Sequence, residues 1–296
     1  MEKLATAILI TSVTLCFLLP FKTFAAPLIV SPGDLGSFII EVDLDFDGVT
    51  RRFQLDTGAD STMVPMDETT RAYTSEGTSN SAGAAGSRIT CDLIRPALLT
   101  MTSFADGFSQ LNPKIKRCDF KGIINNLGID QFVDRVFEFQ FSPAKNEILF
   151  PQVIAKRWKL YPLTRLAKGH LKVPVEIANV VSTSQYFAIL DTGAQLTSVD
   201  LSYVTQNPTL FKFVQDVETG TDVTGKPILL KIYEMSEFRI ASVVFKNVQV
   251  AAFDFGELRN YLGVETPLIV GANAIVQANW LLDLKNDQWS VEERSN

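Results

Sequence analysis

The sequence contains a single histidine, His170, among its 296 residues. Histidine-based zinc sites and serine–histidine triads both depend on histidine side chains, so one histidine leaves little from which to build either. The chain also lacks a glycine-rich phosphate loop of the P-loop or dinucleotide type. Two acidic stretches, EVDLDFDG and FDFGEL, lack the EF-hand spacing and are interpreted as strand edges and turns. We therefore expect no metal and no cofactor, and a structural role for His170.

Basic runs are absent as well, and the formal net charge is −6. This balance argues against nucleic acid or an anionic membrane surface as a partner. Long apolar runs are confined to residues 1–25, which carry a lysine near the start and small residues before APLIV. This layout predicts a secretory signal peptide cleaved after Ala25, and the alternative is an uncleaved membrane anchor. A cleaved signal implies a secreted or periplasmic protein without stable membrane association.

Cysteine is scarce too, with three residues in all, of which Cys16 belongs to the predicted signal. Cys91 and Cys118 remain in the mature chain. They form either a disulfide or two buried free thiols, and export to an oxidising compartment favours the disulfide.

An internal repeat organises the remainder of the chain. QLDTGADSTMV at 54–64 returns as ILDTGAQLTSV at 189–199, so the two aspartates are 191 − 56 = 135 positions apart. A later pair of segments also matches, NLGIDQFV at 126–133 and IVGANAIV at 269–276. The repeat predicts two similar lobes, at 26–155 and 156–296.

Short alternating runs rich in Val, Ile, Phe and Thr predict a mostly β structure with a first strand near Ser37. Two helical segments are expected, one after Gly128 and one after Gly271. The small-residue stretch 71–89 is typical of a flexible loop leading into a hairpin, or else of a surface linker.

A single Asp-Thr-Gly is weak evidence, but two copies, each behind an apolar strand and each followed by alanine, resemble the aspartic proteases. The pepsin-like members have two lobes that each supply one motif, whereas retropepsins have one lobe and dimerise. The resemblance covers both halves, and LDTGAD and LGID are its most specific matches. It implies an all-β fold with a few short helices, in which two homologous six-stranded-type lobes flank a cleft.

Asp56 and Asp191 are the candidate catalytic pair. Two carboxylates at hydrogen-bond distance share one proton, and the ionised member can activate a water that attacks a peptide carbonyl. The protonated member then hydrogen-bonds the developing oxyanion. The sequence leaves open which aspartate is the acid and which the base. The alternative for each aspartate alone is a turn former or a helix cap.

The neighbours of the pair have implied supporting roles. In the family the motif threonines, here Thr57 and Thr192, reach across to the opposite loop. We expect Gly58 and Gly193 to allow close backbone approach and unusual turn dihedrals.

Ala59 and Ala194 match retropepsins, because pepsin-like enzymes usually have serine there. An alanine removes one hydroxyl donor to the charged carboxylate, so we expect a pH optimum less acidic than that of gastric enzymes.

The resemblance also implies a hairpin flap over the substrate. By position its tip in lobe one is Gly83, Ala84, Ala85 and Gly86, and DVTGKPILL is the matching hairpin of lobe two. Asn126 departs from the family, which has an apolar residue before the Leu-Gly pair.

The sequence thus predicts an exported aspartic endopeptidase that binds a polypeptide substrate between its lobes. A two-lobed chain completes its own pair of aspartates, so a monomer is expected, active without removal of a pro-region. The alternative is a catalytically inactive module that binds a peptide or protein. A third possibility is an enzyme that processes one protein substrate instead of digesting many.

Overall fold

The computed structural model describes residues 23–83, 86–101, 111–119, 124–178, 183–222, 226–263 and 266–294. Most of the predicted signal peptide, residues 1–22, lies outside these ranges, as do Ala84 and Ala85 of the predicted flap tip. Within the described ranges, no helix has both the length and the apolar character needed to cross a membrane.

The first half of the chain forms twelve strands over its described residues. They are β1 Phe24–Pro27, β2 Ile29–Pro32, β3 Phe38–Phe46, β4 Val49–Asp56, β5 Met63–Pro65, β6 Thr78–Ala82, β7 Arg88–Ile94, β8 Leu99–Met101, β9 Ile115–Cys118, β10 Asn126–Gly128, β11 Val136–Phe141 and β12 Asn146–Phe150.

The second half forms eleven strands and three short α-helices over its described residues. The strands are β13 Tyr161–Pro162, β14 Thr164–Arg165, β15 Leu171–Ala178, β16 Thr183–Leu190, β17 Thr197–Asp200, β18 Phe211–Thr221, β19 Pro227–Ile240, β20 Val243–Phe253, β21 Leu268–Val270, β22 Ala278–Asp283 and β23 Gln288–Glu293. The helices are α1 Leu201–Gln206, α2 Gly256–Leu262 and α3 Ala272–Ile275.

Each half builds a sheet with the same strand order. In lobe one the order is β2-β3-β4-β10-β5-β9-β7-β6, with β8 added on β3. In lobe two it is β14-β15-β16-β21-β17-β20-β19-β18. In both, the short strand of the later repeat runs parallel to the strand that precedes Asp-Thr-Gly. The predicted all-β fold of two homologous lobes is therefore confirmed.

Period-two alternation places one face of each lobe sheet in the core. Ile40, Val42, Leu44 and Phe46 of β3 are almost fully buried, and so are Leu171, Val173, Val175 and Ile177 of β15. Burial of one such side chain contributes about 1.5–3 kcal/mol. The repeated pattern thus gives both lobes a comparable core beneath their motif strands.

A third sheet of six antiparallel strands joins the lobes, in the order β1-β12-β11-β22-β23-β13. Its centre is the pairing of β11 with β22, in which Phe139 lies opposite Trp280. Both residues are buried. Each half of the chain contributes three strands, so the two lobes are joined by one shared sheet with buried apolar side chains.

Some predicted details are wrong. Two strands, β1 and β2, precede Ser37, because β1 pairs with β12 in the shared sheet and β2 pairs with β3. The helix expected after Gly128 is only a 3₁₀ turn, Ile129–Gln131, whereas the one after Gly271 forms α3. Part of FDFGEL, expected to be a turn, begins α2.

The predicted disulfide is confirmed. Cys91 of β7 bonds to Cys118 at the end of β9, with their Cα atoms 4.4 Å apart. The two half-cystines are buried beside Met63. Because β9 also pairs with β5, the disulfide ties the predicted flap strand to the segment after the first motif.

Candidate active site

The two motif aspartates occupy equivalent places in the lobes. Asp56 is the last residue of β4, and Asp191 directly follows β16. The carbonyl of the alanine three residues after each aspartate holds the later repeat in the same way, since Ala59 O accepts from Ile129 N–H and Ala194 O from Ala272 N–H. Both motif loops are thereby fixed by their own lobes.

The motif threonines connect the two loops reciprocally. The Thr57 backbone N–H donates to Thr192 Oγ1 at 3.0 Å, and the Thr192 N–H donates to Thr57 Oγ1 at 3.1 Å. Each hydroxyl then donates across the interface, Thr57 to Leu190 O and Thr192 to Leu55 O. Both threonines are buried. These four bonds hold the two loops at a fixed separation.

Each motif glycine lies against the aspartate of the other lobe. A Cβ atom added to Gly58 would fall closer than 3.0 Å to the Asp191 carboxyl group, and one added to Gly193 would fall equally close to that of Asp56. Neither glycine has a positive φ, so the expected unusual dihedrals are wrong. The glycines are required because the loops approach so closely.

The two carboxyl groups are hydrogen-bonded to each other. Burial raises the pKa of Asp191 well above its usual range, and the charge of Asp56 and the hydrogen bond to it raise it further. Backbone N–H groups of Ala194 and Gly193 oppose this rise by donating to Asp191 Oδ1, at 3.1 and 2.9 Å. The pair is arranged to share a proton.

Two polar side chains of lobe one surround the pair where lobe two has isoleucine. Asn126 Nδ2 donates to Asp56 Oδ2 at 2.5 Å, and Gln54 Nε2 donates to Gly193 O at 2.8 Å. Gln54 and Asn126 are paired across β4 and β10, as Ile189 and Ile269 are across β16 and β21. Asn126, the residue that differs from the aspartic protease pattern, therefore contacts the candidate catalytic carboxylate directly.

A second pair of threonines supports the later repeat. Thr62 Oγ1 accepts from Gly128 N–H and donates to Asp130 Oδ1 at 2.9 Å. Thr197 Oγ1 does the same for lobe two, donating to Asn273 Oδ1 at 2.8 Å. Burial raises the pKa of Asp130 to about 6, although hydrogen bonds from Thr62 and Gln131 oppose the rise.

His170 is buried next to the first motif, where it hydrogen-bonds the backbone of Gly58. Burial lowers its pKa, and the charges of Asp60 and Asp56 oppose that effect. Its ring contacts Tyr261 of α2 edge-on at 5.9 Å, and Tyr261 donates to Asp60 at 3.4 Å. A structural role for the histidine stays a prediction, and its position beside the first motif was not indicated by its sequence context.

The predicted flap segment lies between β6 and β7, and the described residues on either side of Ala84 and Ala85 contact lobe two. Gly83 lies against Asp222, which follows β18, and Ser87 Oγ donates to Asp222 Oδ2 at 3.0 Å. Gly86 has a φ of 77°, which glycine adopts without strain. At the hairpin base, Lys116 Nζ donates to Asn80 O and lies 3.5 Å from Asp60 Oδ1.

No group of three or more His, Cys, Asp or Glu side chains within the described ranges is placed to hold a metal ion. The site brings together two carboxyl groups and the amide groups around them, which can hold a water molecule and accept its proton.

Comparison with known proteins gives a fold. No protein-family model matches the chain, and no curated protein sequence does. The crystal structure of an aspartic proteinase from Irpex lacteus is similar with a TM-score of 0.57 and 14% identity, over 93% of this chain and 98% of that chain. Conglutin gamma, a basic 7S globulin from lupine seeds, is similar with a TM-score of 0.57 and 12% identity, over 93% and 96%.

Proposed function

We propose that the protein is an aspartic endopeptidase in which Asp56 and Asp191 activate a water molecule for attack on a peptide bond. The observation that carries this proposal is the reciprocal construction of the pair. Each lobe supplies one carboxyl group, one glycine that lies against the opposite carboxyl group, and one threonine that holds the opposite loop. A turn-forming aspartate would require none of these contacts with a second aspartate.

The chemistry follows from one proton shared by two carboxyl groups. The ionised carboxylate accepts a proton from the water, and the resulting hydroxide bonds to the peptide carbonyl carbon. The protonated carboxyl group donates a hydrogen bond to the carbonyl oxygen, which becomes negatively charged in the tetrahedral intermediate. A proton transferred to the peptide nitrogen then allows the C–N bond to break. The enzyme returns to its singly protonated state.

The substrate class that fits this site is an extended polypeptide. A peptide lying between the lobes can add its backbone to the strands of the two hairpins and place alternate side chains in pockets of each lobe. The contact between Ser87 and Asp222 joins the two hairpins, so substrate entry between them requires that contact to open.

Further parts of this proposal concern the whole chain. Residues 1–25 act as a signal peptide, 26–155 and 156–296 are the two lobes, and the mature protein is a secreted or periplasmic monomer. The Cys91–Cys118 disulfide is compatible with an oxidising compartment. Cleavage after Ala25 would leave Ala26 and Pro27 in place to pair with Ile148 and Glu147. The N-terminal mass of exported protein tests that cleavage.

Incubation with a mixed peptide library across pH, followed by mass spectrometry of the products, tests the function. We expect internal cleavage by the wild-type protein, with an optimum less acidic than that of gastric enzymes, and loss of cleavage in both Asp56→Asn and Asp191→Asn. Binding of peptides without cleavage at any pH would contradict the proposal and support the peptide-binding alternative.

A further inference from the structure

The candidate pair is symmetric in its backbone but not in its side-chain donors. Asp56 receives the Gly58 N–H on Oδ1 and the Asn126 amide on Oδ2. Asp191 receives both of its backbone donors, from Gly193 and Ala194, on Oδ1. Protein donors thus reach both oxygens of Asp56, while Oδ2 of Asp191 remains the oxygen that can carry a proton.

The amide nitrogen of Asn126 can donate but cannot accept, because its lone pair is delocalised into the amide. An ionised Oδ2 accepts this N–H more strongly than a protonated Oδ2 does, because the negative charge strengthens the hydrogen bond. The side chain is 3% exposed, so water has little access with which to replace the bond. The isoleucine at the equivalent position, Ile269, has no polar group and offers Asp191 no hydrogen bond.

The other charged groups around Asp56 do not remove this bias. Asp191 faces it from the second motif, and two negative charges in contact permit only one to ionise readily. His170 faces it from the segment before β15, and Asp60 and Lys168 act on His170 with opposite signs. Lys116 offsets the charge of Asp60. Among these groups, Asp191 alone competes for the shared proton.

We propose that Asn126 is a positioning residue that holds Asp56 as the ionised, proton-accepting member of the pair and leaves the proton on Asp191. This assignment rests on the proposed function for its role in catalysis, but the proton position itself does not depend on any activity. The raised pKa of Asp191 agrees with it. Rotation of the Asn126 amide by half a turn would instead place its oxygen against Asp56 and require a protonated Asp56. The two arrangements therefore predict opposite changes in the lower apparent pKa of the pair when the amide is removed.

A titration of the aspartate carboxyl carbons by NMR, in protein labelled with ¹³C at those carbons, measures the proton position directly. The variant is Asn126→Leu, which has nearly the same shape without a donor, and the matched control is Ile269→Leu. We expect the lower apparent pKa of the pair to rise by about one pH unit in Asn126→Leu, because a hydrogen bond to the charged form is lost. It should not move in Ile269→Leu.

Two further variants keep the test decisive, one by restoring a hydrogen-bond donor and one by providing a second deletion. Asn126→Thr keeps a donor on a β-branched residue that suits a strand, and should restore part of the low pKa. Asn126→Ala supplies a second deletion should Asn126→Leu fail to fold. An unchanged lower pKa in the deletion variants would overturn the proposal, and a lowered pKa would assign the proton to Asp56.

The same variants in the peptide assay link the proton to the reaction. The apparent pKa of the acid limb in the pH profile of log kcat/KM should rise by the shift seen in the NMR titration, since that limb reports ionisation of the free enzyme. Shifted carboxyl titrations in a protein that cleaves nothing would reject the proposed function and retain the role of Asn126. Cleavage by variants whose pH profiles and carboxyl titrations are both unshifted would reject the role of Asn126 and retain the proposed function.

Discussion

The two lobes share the parts that hold a carboxyl group in place and differ in the parts that set its charge. Strand order, the glycine against the opposite aspartate, and the threonine bonds across the interface occur twice. Gln54, Asn126 and Asp130 of lobe one correspond to Ile189, Ile269 and Asn273 of lobe two. Geometry is therefore duplicated, whereas polarity around the site is specific to each lobe.

This difference has a physical basis. Two carboxyl groups that share one proton need equal and rigid supports, because a small change in their separation changes the energy of both protonation states. They do not need equal surroundings, since only one of them ionises readily. A donor near one carboxylate alone assigns the charge without disturbing the shared frame. Variants made in pairs, one for each lobe, can test both halves of this statement.

The largest expected effect comes from Gly58→Ala and Gly193→Ala. Either methyl group would overlap the opposite carboxyl group, so the pair would be displaced. A displacement of about 1 Å reduces catalysis by about a hundredfold, and both variants should lose at least that much kcat/KM. The control is Gly256→Ala at the start of α2, which should remain near the wild-type rate. A strong loss in only one motif variant would contradict equal supports.

Removal of the disulfide should destabilise lobe one more than lobe two. Cys91→Ala with Cys118→Ala reopens a link spanning 27 residues, which should cost about 3–4 kcal/mol of unfolding free energy. Lobe two has no cysteine. Hydrogen exchange should therefore accelerate in β7 and β9 and stay slow in the equivalent β19 and β20. Equal acceleration in all four strands would show that the lobes unfold as one unit.

Thr57→Val and Thr192→Val should have smaller and equal effects. Each change removes the hydroxyl that bonds a buried N–H and a buried carbonyl of the opposite lobe. Each unsatisfied group costs about 1–3 kcal/mol, so with two such groups we expect a loss of at least about 2 kcal/mol in denaturant unfolding for either variant. Unequal losses would mean that one threonine carries the connection between the loops.

The smallest expected effect depends on pH and comes from Asp130→Asn, which gives lobe one the residue of lobe two. The folded pKa of Asp130, about 6, lies above its unfolded value, so the carboxyl group stabilises the fold at low pH and that contribution is lost as pH rises through 6. The free energy of unfolding of the variant should match that of the wild type near pH 4 and exceed it by about 1–2 kcal/mol above pH 7. The difference is limited to this size because the side chain is only partly buried. Asn273→Asp should show the reverse change. Parallel stability curves for Asp130→Asn and the wild type would reject this account.

The features predictable from the sequence were those carried by local pattern or by repetition. Alternating strands, the doubled motif and the even cysteine count after the signal were sufficient for the fold class and the disulfide. Residues whose role depends on contacts distant in sequence were not predictable. His170 reaches Gly58 from more than a hundred residues away, and Asn126 was recognisable only as a departure from the family. The brevity of α1 and α2 also hid them, although Asp200 directly before α1 is a capping residue that could have indicated its start.

Under the proposed function, one carboxyl group from each lobe forms a single catalytic unit. The most direct measurement is kcat/KM of Asp56→Asn, Asp191→Asn and the double variant, on one peptide that the wild-type protein cleaves. Residues that act as a unit are strongly non-additive. We predict that each single variant falls to the same residual rate as the double variant. Losses that add, or a single variant that retains the wild-type rate, would contradict the claim.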